Sequence, residues 1–368
     1  MRPLRVAIIS ASIAAGHDGV AAELGRRLRG QGHQVQRLDF VELIPHGWGR
    51  RLRSAYQRQL GVAPRSWDWL LATLRRRPAL RKAISAASAR SATALRDELT
   101  EGTDVVVCTY PLAAQAVARL KRRGAVHATL FSYVTDPAVH PLWVTPATDA
   151  YLVLDPVTAT AAHELGATPV TVIHPLVAPA FRPAIGNERA AAREHFGLPA
   201  AGTLILVLSG SWGVGEVTET VRDLLSAGVG TPVVACGSND VLRHTLSALD
   251  GVYALPWIEE MATLMRGADL VVQNAGGLSA LEAWATGLPV LTYRALAGHG
   301  RDNAAAWHHA GRARWIEEPA ELRDALLAAL GTDPPPQLGV DCVDMVTGTP
   351  RSDPAPPRRP RPLVRRVA

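Results

Sequence analysis

Cysteine is scarce in this sequence, which has three among 368 residues, at Cys108, Cys236 and Cys342. An odd number of distant cysteines favours neither a disulfide framework nor a metal site and is typical of a reducing compartment. The sequence also has no Asp-x-Asp pair, and its glycine-rich segments lack a P-loop lysine. We therefore expect no bound metal and no other cofactor.

Long apolar runs are missing as well. No stretch of about 18 or more apolar residues occurs, so we expect no helix that spans a bilayer. The apolar stretch within Arg2–Gly16 is short and continues into a polar Gly-His-Asp turn, unlike a secretory signal peptide. A cytoplasmic protein is therefore expected.

Positive charge is concentrated in residues 46–82, which we call the basic segment. It has ten Lys or Arg and one acid, Asp68, whereas the whole chain carries a net charge of +6. Such a segment predicts an anionic partner, either a membrane surface or nucleic acid. Three of the nine tryptophans of the chain also lie in this segment.

The tryptophans favour a membrane over nucleic acid, which is not expected as a partner. Apolar, Trp-bearing helix faces flanked by arginines are typical of helices that lie in a lipid interface. The alternative is a solvated basic helix that packs its apolar stripe on the domain core. The candidate membrane residues are Trp48, Trp67, Trp69, Arg75, Arg76 and Arg77.

Short apolar runs alternate with longer helical stretches, which predicts an α/β fold with mainly parallel sheets. The run Arg5–Ser10 indicates a buried first strand, and Gly19–Arg29 indicates an amphipathic helix after it. The next predicted strands are Gln34–Asp39, Asp104–Cys108, Ala128–Val134 and Ala150–Leu154. A second series comprises Thr203–Leu208, Pro232–Ala235, Gly251–Leu255, Leu270–Gln273 and Pro289–Thr292.

Two changes in composition divide the chain. His174–Ile185 contains three prolines and predicts a hinge, and proline and arginine dominate from Asp333, which predicts disorder. The composition, 48% hydrophobic and 20% charged, is that of a globular protein, and the length fits two domains of about 150–180 residues. The predicted parts are an N-terminal Rossmann-like domain over 1–176, a hinge over 177–186, a C-terminal Rossmann-like domain over 187–332 and a disordered tail over 333–368.

Four segments follow predicted strands, where open α/β sheets bind ligands. In the first, Ser10–Gly19, small residues let a ligand approach the backbone, and the next helix supplies a positive dipole. His17 lies on the turn into that helix, with Asp18 beside it. Imidazole titrates near neutral pH and suits the general base that a hydroxyl nucleophile needs. The alternative is that His17 caps the helix or binds an anion.

The other three segments lie in the second half. Leu208–Glu216 is a glycine-rich turn of the phosphate-binding type without the strict dinucleotide spacing. In Gln273–Ala283, Gly276 and Gly277 precede a helix whose N–H groups can hold a pyrophosphate, and Glu282 follows one turn later. Gly298–Asn303 is a polar loop that opens another helix. An ordinary strand–helix turn with a solvated Glu282 is the alternative for the third segment.

Together these segments resemble the inverting GT-B glycosyltransferases of family 28. The resemblance is carried by the turn at Gly16 and His17 and by Asn274–Ala283, which reads Asn-Ala-Gly-Gly-Leu-Ser-Ala-Leu-Glu-Ala. The family includes the monogalactosyldiacylglycerol synthases and the lipid-linked N-acetylglucosaminyltransferase of peptidoglycan assembly. The synthases are more similar, because Val134–Asp136 followed by His140–Trp143 looks like their acceptor-side segment. The resemblance covers about residues 4–325.

The resemblance implies two Rossmann-like domains that face a central cleft, and transfer of a hexose or N-acetylhexosamine from a UDP-sugar to a lipid acceptor. His17 matches the proposed catalytic base, with Asp18 and Asp136 as alternatives. Ile258 matches the position whose backbone reads the uracil edge, and Glu282 would hold the ribose. The implied donor-binding residues are Gly16, Ser209, Gly210, Ser211, Trp212, Gly213, Ile258, Met261, Asn274, Gly276, Gly277, Leu278, Ser279, Glu282, Gly298, His299 and Asn303. The implied acceptor-side residues are His140 and Trp143.

The sequence departs from the family in two places. The synthases typically have Gly-Gln-Glu-Glu-Gly-Asn in the sugar-contacting loop, whereas this loop contains His299, Gly300, Arg301 and Asp302. GT-B chains often end in a helix that returns to the N-terminal domain, where this chain has its Pro/Arg-rich tail. The donor sugar is therefore left open, as are the acceptor lipid and the oligomeric state.

The expected reaction is a single displacement at the anomeric carbon that inverts it, with the leaving diphosphate held at two helix N-termini. The expected partners are a UDP-sugar, a lipid acceptor and an anionic membrane surface on the inner face of the cell membrane. A UDP-sugar epimerase of the same fold and a non-catalytic lipid-surface binding protein remain alternatives. A nicotinamide oxidoreductase is disfavoured, because the first turn lacks Gly-x-Gly-x-x-Gly, although Asp39 ends the second strand.

Overall fold

The computed structural model describes residues 2–13, 15–62, 73, 76–88 and 91–348, which contain two six-stranded parallel sheets. The strand order of the first sheet is β2-β1-β3-β4-β5-β6. Its connections leave the neighbours β1 and β3 in opposite directions, and ligands bind open sheets at such a point. The strands are β1 (Arg5–Ser10), β2 (Gln34–Asp39), β3 (Val105–Cys108), β4 (Thr129–Tyr133), β5 (Ala150–Val153) and β6 (Val170–Val172).

The second sheet has the order β12-β11-β10-β7-β8-β9, and its connections diverge between β7 and β10. The first sheet ends at Val172 and the second begins at Leu204, so the predicted hinge lies between them. The strands are β7 (Leu204–Leu208), β8 (Thr231–Ala235), β9 (Tyr253–Leu255), β10 (Leu270–Gln273), β11 (Val290–Tyr293) and β12 (Arg314–Ile316).

Helices follow most of the strands. We refer to β1–β6 with their helices as the N-terminal domain and to β7–β12 with theirs as the C-terminal domain. Within the residues described, no helix is both long and apolar enough to cross a bilayer. The N-terminal helices are α1 (Ala15–Gly30), α2 (Trp48–Val62), α3 (Pro78–Ser88), α4 (Ala92–Glu98), α5 (Pro111–Arg122) and α6 (Pro156–Glu164). The later helices are α7 (Glu188–His195), α8 (Val217–Ala227), α9 (Asp240–Ser247), α10 (Met261–Gly267), α11 (Leu278–Ala285), α12 (His299–His309), α13 (Leu322–Ala329) and α14 (Cys342–Thr347).

Both faces of the first sheet are buried. Val6 and Ile8 of β1 join one apolar cluster, and Ala7 and Ile9 join another on the opposite face. Strands buried on both faces form continuous apolar runs, which is why RVAIIS predicts this strand correctly. The first cluster continues through Leu24 of α1 into the C-terminal domain, so an apolar layer connects the domains.

The predicted α/β class with two parallel sheets is confirmed, and the bounds of β1, β2 and β10 are as predicted. The edge strands β6 and β12 were not predicted. The first helix begins at Ala15 rather than Gly19, so His17 lies inside its first turn.

The prediction of disorder from residue 333 is wrong for residues 333–348. Val340 pairs with Ile173 beside β6, and the backbone N–H of His174 donates to the Val340 carbonyl at 2.8 Å. Helix α14 follows, with Cys342 and Val343 buried. Helix α14 packs against α1, so the described part of the tail contains a helix that returns to the N-terminal domain. Residues 349–368 lie outside the described part of the chain.

Candidate functional site

A cleft of about 1410 Å³ lies between the two domains, at the carboxyl ends of their strands. Its walls come from the turn after β1, the loop after β4, the turns after β7 and β10, and the start of α12. Both points where the sheet connections diverge open into this cleft, which is where a ligand is expected. All four predicted segments therefore contribute residues to a single cavity.

His17 is positioned by the N-terminal domain. Its Nδ1 lies 3.1 Å from the hydroxyl of Thr135, which follows β4, and its ring meets Tyr110 edge-on with a centroid separation of 5.5 Å. The His17 carbonyl accepts a hydrogen bond from the Thr109 hydroxyl at 3.1 Å. When Nδ1–H donates to Thr135, Nε2 carries the free lone pair, as a general base requires.

The two alternative bases differ in their surroundings. Asp18 accepts a hydrogen bond of 2.5 Å from the Ser10 hydroxyl, which fixes it to the end of β1. Asp136 is half-buried on the cleft wall and accepts from the Asn303 side-chain amide at 3.3 Å. The Asn303 Oδ1 in turn accepts from the Ala138 backbone N–H at 3.2 Å. Asn303, which was predicted to contact the donor, therefore also joins α12 to the N-terminal domain.

The glycine-rich turn after β7 lies on the C-terminal wall. Ser209, Gly210, Ser211 and Trp212 line the cleft. Gly213 lies beneath it with a φ of +56°, and a Cβ atom there would approach the Cys236 carbonyl oxygen to 2.3 Å. Only glycine fits that turn, because any side chain would push the turn away from the strand end.

The turn after β10 faces the first turn across the cleft. Gly276 and Gly277 have φ values of +77° and +93°, which favour glycine, and they precede α11. Leu278 at the start of α11 packs close to the start of α1, since a Cβ atom on Gly16 would lie 3.7 Å from the Leu278 Cβ. Two helix N-termini, those of α1 and α11, therefore point into one cavity, which suits an anion such as a diphosphate. Ser279 also lines the cleft.

Asn274 supports this turn from below. It is 6% exposed, and its amide nitrogen donates to the Val214 carbonyl at 2.8 Å. Within the described residues its Oδ1 has no hydrogen-bond partner. Asn274 itself does not line the cleft, so a role in shaping both glycine-rich turns fits it better than donor contact.

Glu282 lies one turn into α11 on the cleft wall. Burial raises the pKa of its carboxyl to about 8. A carboxyl group with this pKa is mostly protonated at neutral pH when the cleft is empty. Its position on the cleft wall fits contact with ribose hydroxyls. The protonation state does not prevent this contact, because either form of a carboxyl can accept a hydrogen bond.

The loop before α12 brings His299 into the cleft. Burial lowers the pKa of His299, the Asp136 charge opposes this effect, and the nearby His17 adds to it. Gly298, the N-cap of α12, has a φ of +77° and turns the chain into the helix. His299 is therefore neutral near pH 7 and can donate or accept a hydrogen bond inside the cavity.

Ile258 and Met261 do not line the cleft. Both lie near the start of α10 and pack against the apolar cluster shared by the domains. The prediction for Ile258 concerns its backbone, which an edge of the C-terminal domain presents after β9. Contact between the Ile258 backbone and the uracil of the donor stays a prediction.

Both acceptor-side residues, His140 and Trp143, line the cleft, but they differ in burial. His140 lines the cleft and accepts at Nδ1 from the Leu142 backbone N–H at 3.2 Å. Trp143 is 1% exposed and packs with Val134 and Tyr151. Trp143 also lines the cleft, so it supports the acceptor loop from below while part of its ring faces the cavity, and its contact with an acceptor stays a prediction.

The basic segment is described in part. Trp67, Trp69 and Arg75 lie outside the described residues, whereas Arg76 and Arg77 are exposed. Trp48 is 54% exposed at the start of α2, but it lines the cleft. The guanidinium of Arg51 lies 5.3 Å from its ring centroid.

Two features of the site were not predicted from the sequence. Thr135 holds the His17 ring, yet a threonine after a strand gives no signal of that role. The cleft also has a large apolar part in the N-terminal domain, formed by side chains from three separate stretches of sequence. These include Phe40, Ile44, Leu52, Ile84 and Leu112.

Asp39 bears on the nicotinamide alternative. Its carboxylate accepts from the backbone N–H groups of Ser12 and Val41, at 3.1 and 2.9 Å. Both bonds go to Oδ1, so Asp39 holds the first turn in shape, a structural role that needs no nucleotide.

Comparison with known proteins agrees with this geometry. The family model described as monogalactosyldiacylglycerol (MGDG) synthase matches residues 17–174. A processive diacylglycerol beta-glucosyltransferase of Bacillus pumilus (strain SAFR-032) is 28% identical over 240 residues, 62% of this chain and 62% of that protein. The chain thus spans less than two thirds of the length of the curated relatives that it matches.

Solved structures show the same fold. Acinetobacter baumannii MurG covers 89% of this chain and 90% of its own, with a TM-score of 0.53 and 17% identity. Anabaena Alr3699/HepE, solved in complex with UDP-glucose, covers 88% and 89%, with a TM-score of 0.54 and 14% identity. The fold is GT-B, and the resemblance to family 28 glycosyltransferases predicted from the sequence is confirmed.

Proposed function

We propose that this chain, similar in sequence to lipid glycosyltransferases and GT-B in fold, is an inverting hexosyltransferase. It would move a hexose or N-acetylhexosamine from a UDP-sugar to a hydroxyl group of a lipid acceptor. One observation carries the proposal: a single cleft joins a positioned imidazole, two helix N-termini with glycine-rich turns, and an apolar wall. These parts match a hydroxyl nucleophile, a diphosphate leaving group and a hydrocarbon.

The N-terminal domain supplies the base in this proposal. His17 Nε2 removes the proton of the acceptor hydroxyl while Thr135 holds Nδ1, at 3.1 Å. The oxygen attacks the anomeric carbon from the face opposite the diphosphate, so the configuration inverts. The charge that develops on the diphosphate meets the N–H groups before α11 and the turn after β7.

The C-terminal domain holds the donor. Gly276 and Gly277 let the diphosphate approach the backbone, and Glu282 accepts hydrogen bonds from the ribose. The relative solved with UDP-glucose supports a UDP-type donor for this fold. His299 faces the same space from α12, where it can contact the sugar.

The acceptor is proposed to come from a membrane. The relatives named for diacylglycerol support a lipid, and the exposed arginines of the basic segment support attachment to an anionic leaflet. The protein would then be peripheral on the inner face of the cell membrane.

Release of UDP tests the proposal. The full chain is incubated with UDP-glucose, UDP-galactose or UDP-N-acetylglucosamine, with and without vesicles that contain diacylglycerol. A transferase releases UDP only when both a donor and the lipid are present, and a glycolipid of the corresponding mass appears. An epimerase would interconvert the donors without lipid, and a binding protein would release nothing. Either result would contradict the proposal.

A further inference from the structure

The apolar stripe of α2 lines the cleft instead of packing on the core. Trp48, Leu52 and Ala55 lie on one helical face and all line the cavity. Trp48 and Leu52 remain 54% and 53% exposed. Large apolar side chains that stay uncovered next to a reaction site indicate an apolar ligand.

The start of α2 is seated tightly on the domain. Gly49 is buried, and a Cβ atom there would lie 1.8 Å from the Val41 carbonyl oxygen. This close approach sets where α2 leaves the domain, so its stripe has a defined position over the cleft. The exposed stripe is therefore part of the folded structure.

Helix α3 contributes to the same part of the cavity through Ile84 and Ala87. The Ser85 hydroxyl donates to Gln115 Oε1 at 2.8 Å, and the Gln115 amide donates to the Leu142 carbonyl at 2.9 Å. These bonds fix α3 to α5 and to the loop that carries His140. We call the space lined by Trp48, Leu52, Ala55, Ile84 and Ala87 the α2–α3 groove.

The α2–α3 groove and His17 belong to one cavity, which is apolar at one end and polar at the other. The arginines of α2 do not line the cavity: Arg50, Arg53 and Arg58 are exposed, and Arg51 lies over the Trp48 ring, 5.3 Å from its centroid. A ligand that fills the whole cavity must therefore be amphipathic, with a hydroxyl group at His17 and a hydrocarbon along α2.

We propose that the α2–α3 groove binds one hydrocarbon chain of the acceptor lipid, drawn out of the bilayer so that the lipid hydroxyl reaches His17. The inference rests on the proposed function, because it takes the acceptor to be a lipid. It assigns Trp48 and Leu52 to the substrate rather than to the membrane interface. The groove offers no charged group to the chain, and burial of each methylene favours binding.

Acceptors of graded chain length test the groove. Dibutanoyl-, dihexanoyl- and dioctanoylglycerol are supplied as monomers, below the concentration at which they aggregate, so that no bilayer is involved. Each methylene that enters the groove lowers the KM for the acceptor by up to about fourfold. Ala55→Trp fills the groove and should raise the KM for dioctanoylglycerol at least about tenfold, with the Kd for UDP unchanged. Ser54→Trp adds the same side chain at the adjacent exposed position, outside the cleft, and should behave like wild type.

A binding measurement makes the test independent of turnover. Dioctanoylglycerol with a bromine at the end of one chain should quench tryptophan fluorescence in wild type, and Trp48→Phe should remove most of that quenching. Two results together would overturn the inference but leave the transferase intact. In these, Ala55→Trp and wild type would transfer sugar to lipid with the same dependence on chain length, and the brominated lipid would not quench Trp48. Another part of the chain, or a second copy, in the groove would give that result. Quenching without UDP release under any condition would support the groove and reject the transferase.

Discussion

His17 is held at three points, its ring nitrogen by Thr135, its ring edge by Tyr110 and its carbonyl by Thr109. Its backbone needs no change to accommodate a smaller residue. We predict that His17→Ala lowers kcat by about 100- to 10,000-fold, the usual loss when a general base is removed. The Kd for UDP should stay close to wild type, since the variant keeps the backbone N–H groups at the start of α1 and the other proposed donor contacts lie in the C-terminal domain. Calorimetry for UDP and UDP-release assays measure the two values.

Asp136 and Asp18 are the alternatives to His17 as the catalytic base. Asp136→Asn keeps the hydrogen-bonded shape beside Asn303 but removes a charge. A turnover near wild type in His17→Ala together with a large loss in Asp136→Asn would move the base role to Asp136. Asp18 is a weaker candidate for the base, because its carboxylate already accepts a hydrogen bond from the Ser10 hydroxyl.

Glu282 gives a pH-dependent prediction. Its pKa is raised from 4.5 in a solvated chain to about 8 in the fold. Between these pH values the carboxyl ionises only after unfolding, so the free energy of unfolding falls as pH rises and levels off above pH 8. Glu282→Gln stays neutral and escapes this loss. We predict equal stability of the variant and wild type near pH 4.5, and a variant more stable by up to a few kcal/mol at pH 8.

Urea unfolding at several pH values measures this difference. Glu259→Gln, at an exposed position before α10, is the matched control and should show no such trend. If the difference in free energy of unfolding between Glu282→Gln and wild type did not change with pH, the raised pKa of Glu282 would be contradicted. The same variant should weaken UDP binding, because an amide replaces the carboxyl at the proposed ribose contact, so stability and binding move in opposite directions.

At the level of single residues, the sequence indicated the groups that follow strand ends. Gly276, Gly277 and His17 could be predicted because parallel strands bring their carboxyl ends to one edge. The reach of Asn303 across to Asp136 could not, since it depends on how the two domains pack. The burial of Trp143 depends in the same way on contacts from β5, which spacing alone does not reveal.

The segment 333–348 is an element that crosses between the domains. Its Val340 pairs with Ile173, and α14 buries Cys342, Val343 and Val346. We predict that deletion of residues 333–368 lowers the free energy of unfolding by several kcal/mol, since each buried valine contributes about 1.5–3 kcal/mol. Deletion of residues 349–368 alone leaves all these contacts and is the matched control. Thermal unfolding of both truncated chains measures the difference, and equal melting temperatures would show that α14 adds nothing.

Short elements account for most errors in the secondary structure predicted from the sequence. The strands β6 and β12 have three residues each, too few for a periodic pattern to form. Helix α14 does have local signals, because Asp341 caps its start and Gly348 ends it with a φ of +67°. The surrounding proline-rich composition concealed them.

A buried ion pair joins the two domains. Arg312 lies 3.4 Å from Asp155, and their side chains are 6% and 5% exposed. Asp155 also caps α6 through the Val157 N–H at 2.8 Å. We predict that Asp155→Asn keeps the cap but removes the carboxylate beside Arg312, which then keeps only neutral partners, the Pro336 carbonyl and the Trp284 ring, among the contacts described. The loss costs up to about 3–5 kcal/mol of stability. Denaturant unfolding measures it, and the double variant with Arg312→Met should recover much of the loss; a neutral Asp155→Asn would contradict the pair.

Attachment to a membrane is a property of the whole surface. We predict that the protein sediments with vesicles containing phosphatidylglycerol, much less with neutral vesicles, and that about 0.5–1 M salt releases it. Replacing Arg76 and Arg77 by Ser should weaken sedimentation. Replacing Arg122 and Arg123, also exposed but at the end of α5, removes the same charge and should matter less. If both double variants lost the same amount of sedimentation, net charge alone would account for binding to the vesicles. A wild-type protein that did not sediment with anionic vesicles at low salt would contradict attachment to a membrane.

The pairing of Val340 with Ile173 has a mechanical consequence. The polypeptide passes from one domain to the other twice, after β6 and again before α14, and the two passages lie side by side where these residues pair. A single connecting strand acts as a swivel with three rotational degrees of freedom. Two adjacent connections instead define a line, about which the domains can bend, while they resist twisting. The proposed base on one half and the proposed leaving-group site on the other should therefore meet in the same orientation each time the cleft closes.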